Sequence, residues 1–134
     1  EAAGRMREFF EKTVGVAAGS IRPIDGSGMS RHNLATPRAI CQVLAWAYKQ
    51  PWQVDFVKAL AEPGEGTLRS RLRTSTFVGK TGTLNAITCL SGYVRPGAEK
   101  TLLVSMLFNH TIVPASEVRA VQDRVVSILE RGQQ

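Results

Sequence analysis

Cysteine, histidine and aromatic side chains are scarce in this chain: two Cys, two His and 7% Phe, Trp and Tyr among 134 residues. Cys41 and Cys89 can close at most one disulfide, and nothing in the sequence brings their Cα atoms within bridging distance. Each lies in an apolar pattern, so both read as buried free thiols. Without paired cysteines, and with only His32 and His110, no zinc-ligand spacing exists and no metal site is expected. Long apolar runs are missing as well: no stretch approaches the roughly 18 residues of a membrane-spanning helix. The opening Glu1-Ala2-Ala3-Gly4 has no signal-peptide character, and a helical pattern already runs at Ala2 without an initiating Met. The chain therefore reads as a piece of a longer protein.

What is present is an ordinary globular composition. Hydrophobic residues make up 43% and charged residues 21%, with 12 Gly and 6 Pro, which excludes disordered, collagenous and low-complexity classes. A chain of this size buries roughly two-thirds of its unfolded surface. Acidic residues are outnumbered 11 to 17, for a net charge of +6, and 12 of the 17 basic residues are Arg. The one dense basic run, Arg69, Arg71 and Arg73, would share a face if that segment were extended. No aromatic residue interleaves with it as a stacking platform for nucleic acid would require, so a solvated stripe is the expectation and no nucleic-acid partner is assigned.

Periodicity divides the chain. Met6, Phe9, Phe10, Thr13 and Val14 recur at helical steps and predict a helix ended by Gly15. Residues 16–35 hold Gly19, Pro23, Gly26 and Gly28 and read as an irregular loop with one short extended piece, and loops of that length are usually functional. Thr36-Pro37 is a strong helix start, followed by the stripe Ile40, Val43, Leu44, Ala47 and Tyr48 and a stop at Pro51. Trp52, Phe56, Val57 and Leu60 suggest a second, shorter helix closed by Pro63-Gly64, with a turn and an extended connection over residues 65–75. The remainder changes period. Residues 76–84, 86–95 and 101–109, rich in Val, Ile, Leu, Thr, Phe and Tyr and separated by turn residues such as Pro96-Gly97, predict three antiparallel strands in a meander. After Pro114, the stripe Val118, Val121, Val125, Ile128 and Leu129 predicts a helix buried against that sheet. The fold class is α/β, in the layered α+β sense: an antiparallel sheet with flanking helices.

Lys80-Thr81-Gly82-Thr83 lies in the first predicted strand. A strand at a sheet edge can bind an extended, peptide-like substrate through its own N–H and C=O groups, and Gly82 lets two backbones approach closely. Lys80 adds a positive charge, Thr81 and Thr83 add hydroxyls suited to a carboxylate, and a backbone N–H near Thr83 can stabilise an oxyanion, an interaction worth about 3 kcal/mol in hydrolases. Strict alternation sends Lys80 and Thr81 to opposite faces, so both serve one pocket only from a twisted edge strand. Taken alone, the bare triplet is weak evidence and fits better a strand end carrying one exposed Lys and a Gly bulge.

The longer run Phe77-Val78-Gly79-Lys80-Thr81-Gly82-Thr83-Leu84-Asn85, continued by Leu90-Ser91-Gly92-Tyr93-Val94, resembles the lysine-threonine-glycine strand and the strand after it in serine D-Ala-D-Ala carboxypeptidases. Asp25-Gly26-Ser27-Gly28-Met29-Ser30-Arg31-His32-Asn33 resembles a loop of the carboxypeptidase/endopeptidase branch of the low-molecular-mass penicillin-binding proteins. The resemblance covers nearly the whole chain. It implies an incomplete serine transpeptidase/β-lactamase-like fold, with residues 1–134 as the C-terminal portion of a single penicillin-binding domain. It also implies an extracytoplasmic enzyme that cleaves D-Ala from peptidoglycan stem peptides through an acyl-enzyme, is captured by β-lactams, and uses no metal or organic cofactor. Lys80 would hold positive potential beside the nucleophile, and Thr81, Gly82 and Thr83 would bind substrate.

Such enzymes use SxxK, SxN and KTG motifs. The residues three before each Lys are Phe9, Trp46, Asp55, Phe77 and Gly97, so no SxxK occurs here and the supplied chain should be catalytically silent. Ser30-Arg31-His32-Asn33 is one residue too long for SxN; Ser30 and Asn33 read as members of a stabilised loop near the site, together with Asp25 and Ser27, the Asp25 carboxylate bonding backbone N–H groups of the Gly-rich turn. His110 reads as a surface residue at a strand end, and Trp46 and Trp52 as core or groove residues. In the resembled fold, further strands complete the sheet beside the strand that opens at Thr101 and closes at Asn109, so that edge is expected to meet a missing segment or another chain. A non-catalytic peptidoglycan-binding module and, less favoured, a basic nucleic-acid module are the competing readings.

Overall fold

The computed structural model describes residues 1–97 and 99–132 and forms two compact units, Glu1–Gln50 and Pro51–Gln134. Helices and antiparallel sheets make up both, an α/β arrangement as the sequence predicts.

In the first unit, helix α1 (Ala2–Glu8) runs directly into a wider π-helical turn, Phe9–Val14, which Gly15 ends in the left-handed conformation at φ 80°. Phe10 and Val14 turn inward onto Val16, Ile21 and Ala39. Phe9 and Thr13, expected in the buried stripe, are exposed, because the π turn rotates the helix away from its 3.6-residue period. Phe9 instead meets the Trp46 ring edge-on at 5.3 Å. The long loop contains two extended pieces, not one: β1 (Ile21–Arg22) pairs antiparallel with β2 (Leu34–Ala35), so residues 23–33 are held at both ends. Helix α2 (Pro37–Ala47) starts as its sequence dictates, with the Thr36 hydroxyl accepting from the Ala39 N–H at 3.2 Å and Pro37 in the first turn. It buries Ala39, Leu44 and Ala47, while Tyr48 stays exposed.

The second unit opens with the short helix α3 (Gln53–Lys58), where Trp52 lies edge-on to Phe56 and Val57 is buried. The connection to the sheet is not extended. A 3-10 turn, Gly66–Leu68, plugs Leu68 into the core, and Arg71 folds back onto the C-terminal helix. The basic run 69–73 is therefore no extended stripe with one shared face: Arg69 and Arg73 are exposed as expected, but the Arg71 side chain is 10% exposed and bonds Asp123 at 2.6 Å, because a buried guanidinium is tolerated only with partners for its donors.

Strands β3 (Val78–Leu84), β4 (Ile87–Gly97) and β5 (Lys100–Asn109) form the predicted meander in the order β3-β4-β5. A two-residue turn, Asn85-Ala86, joins the first pair, with Ala86 at φ 59°. Pro96-Gly97 belong to the end of β4 rather than to a turn, and the β4–β5 register shifts between Val94 and Gly97, where Pro96 has no N–H to offer a ladder. One face of the sheet carries Leu90, Val94 and Val104, which pack with Leu68, Phe77 and Val126 into a core under helix α4 (Ala115–Arg131). The buried stripe of α4 is Val118, Gln122 and Val126. Val121 and Ile128, expected inside, are about half exposed, since the helix turns a polar residue inward instead. Gln122 is fully enclosed because both ends of its amide are satisfied: Nε2 donates to the Thr88 carbonyl and Oε1 accepts from Arg71.

Candidate active site

The lysine-bearing strand is an edge strand. Gly79 exchanges both backbone bonds with Ala61, each at 3.0 Å, which covers the first part of the outer edge of β3. Antiparallel strands present their N–H and C=O groups alternately to one side and the other, so Thr81 and Thr83 share the outward set with Gly79. Beyond the bridge at Gly79, no strand among the described residues pairs with those groups.

Two glycines fix this geometry from behind. Gly79 and Gly92 lie opposite each other in the register, and the ring of Phe77, itself fully buried, covers the pair. A Cβ on Gly92 would collide with the Val78 carbonyl and the Gly79 Cα, and one on Gly79 with the Phe77 ring and the Ser91 carbonyl. Gly82 is different: a Cβ there meets only the Cys89 Cβ, at an ordinary 3.6 Å. Packing within the sheet does not require Gly82.

Register pairs Lys80 with Ser91 and Ser91 with Ser105, which places all three on the face opposite α4; the two serine hydroxyls bond each other at 2.9 Å. Thr81 and Thr83 point to the α4 side, in line with the alternation read from the sequence. The side chains meet at the edge nonetheless. The exposed Lys80 ammonium donates to the carbonyl of Thr81, one of the outward-facing groups. From the other side the Arg119 guanidinium donates to Thr83 Oγ1 at 3.3 Å. The edge thus carries two cations, two hydroxyls and outward backbone groups that no other strand among the described residues pairs, on either side of a residue without a side chain. That set suits an extended ligand ending in a carboxylate.

The loop residues are brought together in the first unit. Asn33 Oδ1 accepts from the N–H groups of Ile24 and Asp25 at 2.7 and 3.1 Å, and its Nδ2 donates to Asp25 Oδ1 at 3.0 Å. The same Asp25 oxygen accepts from the Ser27 hydroxyl at 2.7 Å and the Ser27 N–H at 3.0 Å. Ser30 caps the N–H of His32 at 3.2 Å. Every one of these polar groups serves the loop itself, as the expectation of an Asx- and Ser-stabilised turn requires. The Ser27 hydroxyl first, then the Asn33 amide and the Ser27 N–H, hold the Asp25 carboxyl below its ordinary range. It therefore keeps its charge, and the loop its anchor, further into acid than a free Asp would.

Cys41 and Cys89 are free and half-buried rather than enclosed, and burial pushes both thiols up, opposed at Cys89 by the Phe108 backbone. His110 follows β5 and is exposed, at φ 54°. No group of His, Cys, Asp and Glu among the described residues could hold a metal ion. Sequence reasoning missed Arg119, whose link to Thr83 spans 36 positions and leaves no local trace, and Arg71, which it took for a surface charge.

Residues 2–132 match the D-Ala-D-Ala carboxypeptidase 3 (S13) family. The chain belongs to that family. Its similarity to the D-alanyl-D-alanine carboxypeptidase of Actinomadura sp. (strain R39) is 39% identity over 111 residues, 75% of this chain and 20% of that protein. The Penicillin-sensitive carboxypeptidase A of Dictyostelium discoideum is 24% identical over 136 residues, 92% of this chain and 26% of that protein. This S13 chain spans about a fifth to a quarter of the length of the curated relatives it matches. The family match includes both the loop of residues 25–33 and the strand with Lys80.

Proposed function

We propose that this chain supplies the substrate-docking wall of a serine-type, penicillin-sensitive D-Ala-D-Ala carboxypeptidase acting on peptidoglycan stem peptides. The observation that carries the reading is the open edge of β3, where Lys80, Gly82 and the outward backbone groups of Thr81 and Thr83 lie in a member of the S13 family. The stem peptide would lie antiparallel along that edge, close to the backbone at Gly82. The hydroxyls of Thr81 and Thr83 bind its terminal carboxylate. A seryl oxygen contributed by another part of the longer protein attacks the penultimate D-Ala carbonyl; its proton passes to the leaving amine, terminal D-Ala departs, and water then hydrolyses the acyl-enzyme. Lys80 is the catalytic cation of this wall, lowering the energy of negative charge beside the nucleophile, and the outward N–H of Thr83 donates to the developing oxyanion. The lactam carbonyl of a penicillin enters the same way, with the penicillin carboxylate in place of the peptide's.

The substrate places the enzyme outside the cytoplasm, and no helix among the described residues is long and apolar enough to cross a membrane. Residues 1–134 are the C-terminal part of one penicillin-binding domain in this reading, and the outer edge of β5 takes a strand from elsewhere in the protein. No Ser stands three residues before any Lys of the chain, so the chain alone has no nucleophile. The test is a fluorescent penicillin read out after denaturation. The full-length protein should carry a covalent label and release D-Ala from a D-Ala-D-Ala peptide, while the 134-residue chain stays unlabelled. A labelled 134-residue chain, or a full-length protein that neither binds penicillin nor releases D-Ala, overturns the proposal.

A further inference from the structure

Arg119 reaches from α4 to the edge strand, and the structure fixes where it stands. Its backbone carbonyl accepts from Arg71 at 3.4 Å, and the same Arg71 nitrogen binds Gln122 at 3.0 Å and Asp123 at 2.6 Å. One deeply placed guanidinium thus holds the helical turn from which Arg119 projects. The Arg119 guanidinium in turn donates to Thr83 Oγ1 and takes part in none of the ion pairs among the described residues.

A hydroxyl has one proton to give and two lone pairs with which to accept. With one lone pair of Thr83 occupied by Arg119, its proton is left for a second partner, and the adjacent positive charge makes that proton a stronger donor to an anion. We propose that Arg119 is a positioning residue of the docking edge: it holds the Thr83 hydroxyl as a donor to the substrate and so makes the site select peptides ending in a free carboxylate over those whose terminus is blocked as an amide. The inference rests on the carboxypeptidase reading and adds to it the side chain that enforces carboxyl-terminal recognition. A guanidinium suits this task better than an ammonium, since its planar fork keeps its direction when bonded.

The full-length protein is tested with two peptides, one ending in D-Ala-D-Ala and one in its C-terminal amide, each as a competitor of fluorescent-penicillin labelling, with turnover of the free-acid peptide measured alongside. Arg119→Gln should weaken the acid peptide about tenfold, the loss of one hydrogen bond to a charged group, and leave the amide within about twofold. KM for the acid peptide should rise by a similar factor with kcat nearly unchanged, and Arg119→Lys should restore only part of the preference. In a Thr83→Val background the effect of Arg119→Gln should shrink to near nothing, because its route has been removed. Equal losses on both peptides would mean that Arg119 only supports the fold. An undiminished loss in the Thr83→Val background would mean that it does not act through Thr83. A wild-type protein that neither takes up penicillin nor responds to either peptide refutes the carboxypeptidase reading itself, an outcome distinct from both.

Discussion

At the scale of single residues, three glycines of the sheet have different jobs, and the difference is measurable. Gly79 and Gly92 are forced by packing, since any Cβ meets backbone that cannot move. Gly82 has room for one. Gly92→Ala should therefore destabilise the protein by about 3 kcal/mol or more, the upper range for overpacking a rigid site. Gly82→Ala should change stability by less than about 1 kcal/mol, as strand glycines usually add little to packing, yet should slow penicillin acylation at least tenfold if a ligand backbone lies against it. Urea unfolding beside the labelling rate separates the two. Comparable stability losses at both positions would remove the ligand as the reason for Gly82. The sequence shows all three glycines alike: the close approach of the paired backbones and the Phe77 ring distinguish Gly79 and Gly92 from Gly82, and nothing in a string of residues tells which groups will lie over which backbone.

Among whole elements, those with strong local signals are the ones legible beforehand. Thr36-Pro37 specifies the start of α2, Gly15 the end of the first helix, and the alternating Val, Ile and Thr residues the meander. Elements whose conformation depends on distant partners are not. The segment 65–75 reads as extended until Leu68 and Arg71 find the core and α4, and α4 itself is misphased because Gln122, polar by composition, is buried through bonds to Arg71 and Thr88. Arg71 is thus the clamp between the connection and the C-terminal helix. Arg71→Ala leaves the half-buried Asp123 and the enclosed Gln122 short of their main partner, and should cost about 3 kcal/mol. Loss of Arg71 should also reduce the carboxylate preference assigned to Arg119, by freeing its helical turn. Denaturation midpoints for Arg71→Ala against Arg124→Ala, an exposed Arg of the same helix, measure the first effect; equal midpoints would show that the clamp adds nothing.

For the molecule as a whole, the sheet has a long second border. β5 pairs with β4 through nine aligned residue pairs, and no strand among the described residues covers its other side. Unpaired strand borders invite pairing with other chains. If the wider protein normally supplies a strand there, the 134-residue chain should self-associate as its concentration rises, and Leu103→Lys, placing a charge at an exposed position of β5, should reduce that association. Sedimentation across a range of concentrations checks this; a chain that stays monomeric at high concentration would argue against β5 as a joining surface. The fold class, the order of the longer elements and the strand that carries Lys80 were legible because each is written in local period and in a contiguous motif. The division into two units was not, since it depends on how contacts distribute along the chain once folded.

The Phe77 ring seated over the Gly79–Gly92 pair has a consequence for alignment. Sheets with one buried face tolerate no slip of a single residue, and a slip of two normally preserves which side chains face inward. Here even that escape is closed, because it would drive Thr81 or Phe77 itself into the space that only two bare backbones can share. The aromatic ring acts as a latch, and the cation of Lys80 is held at one fixed step along the border on which the proposed substrate would lie.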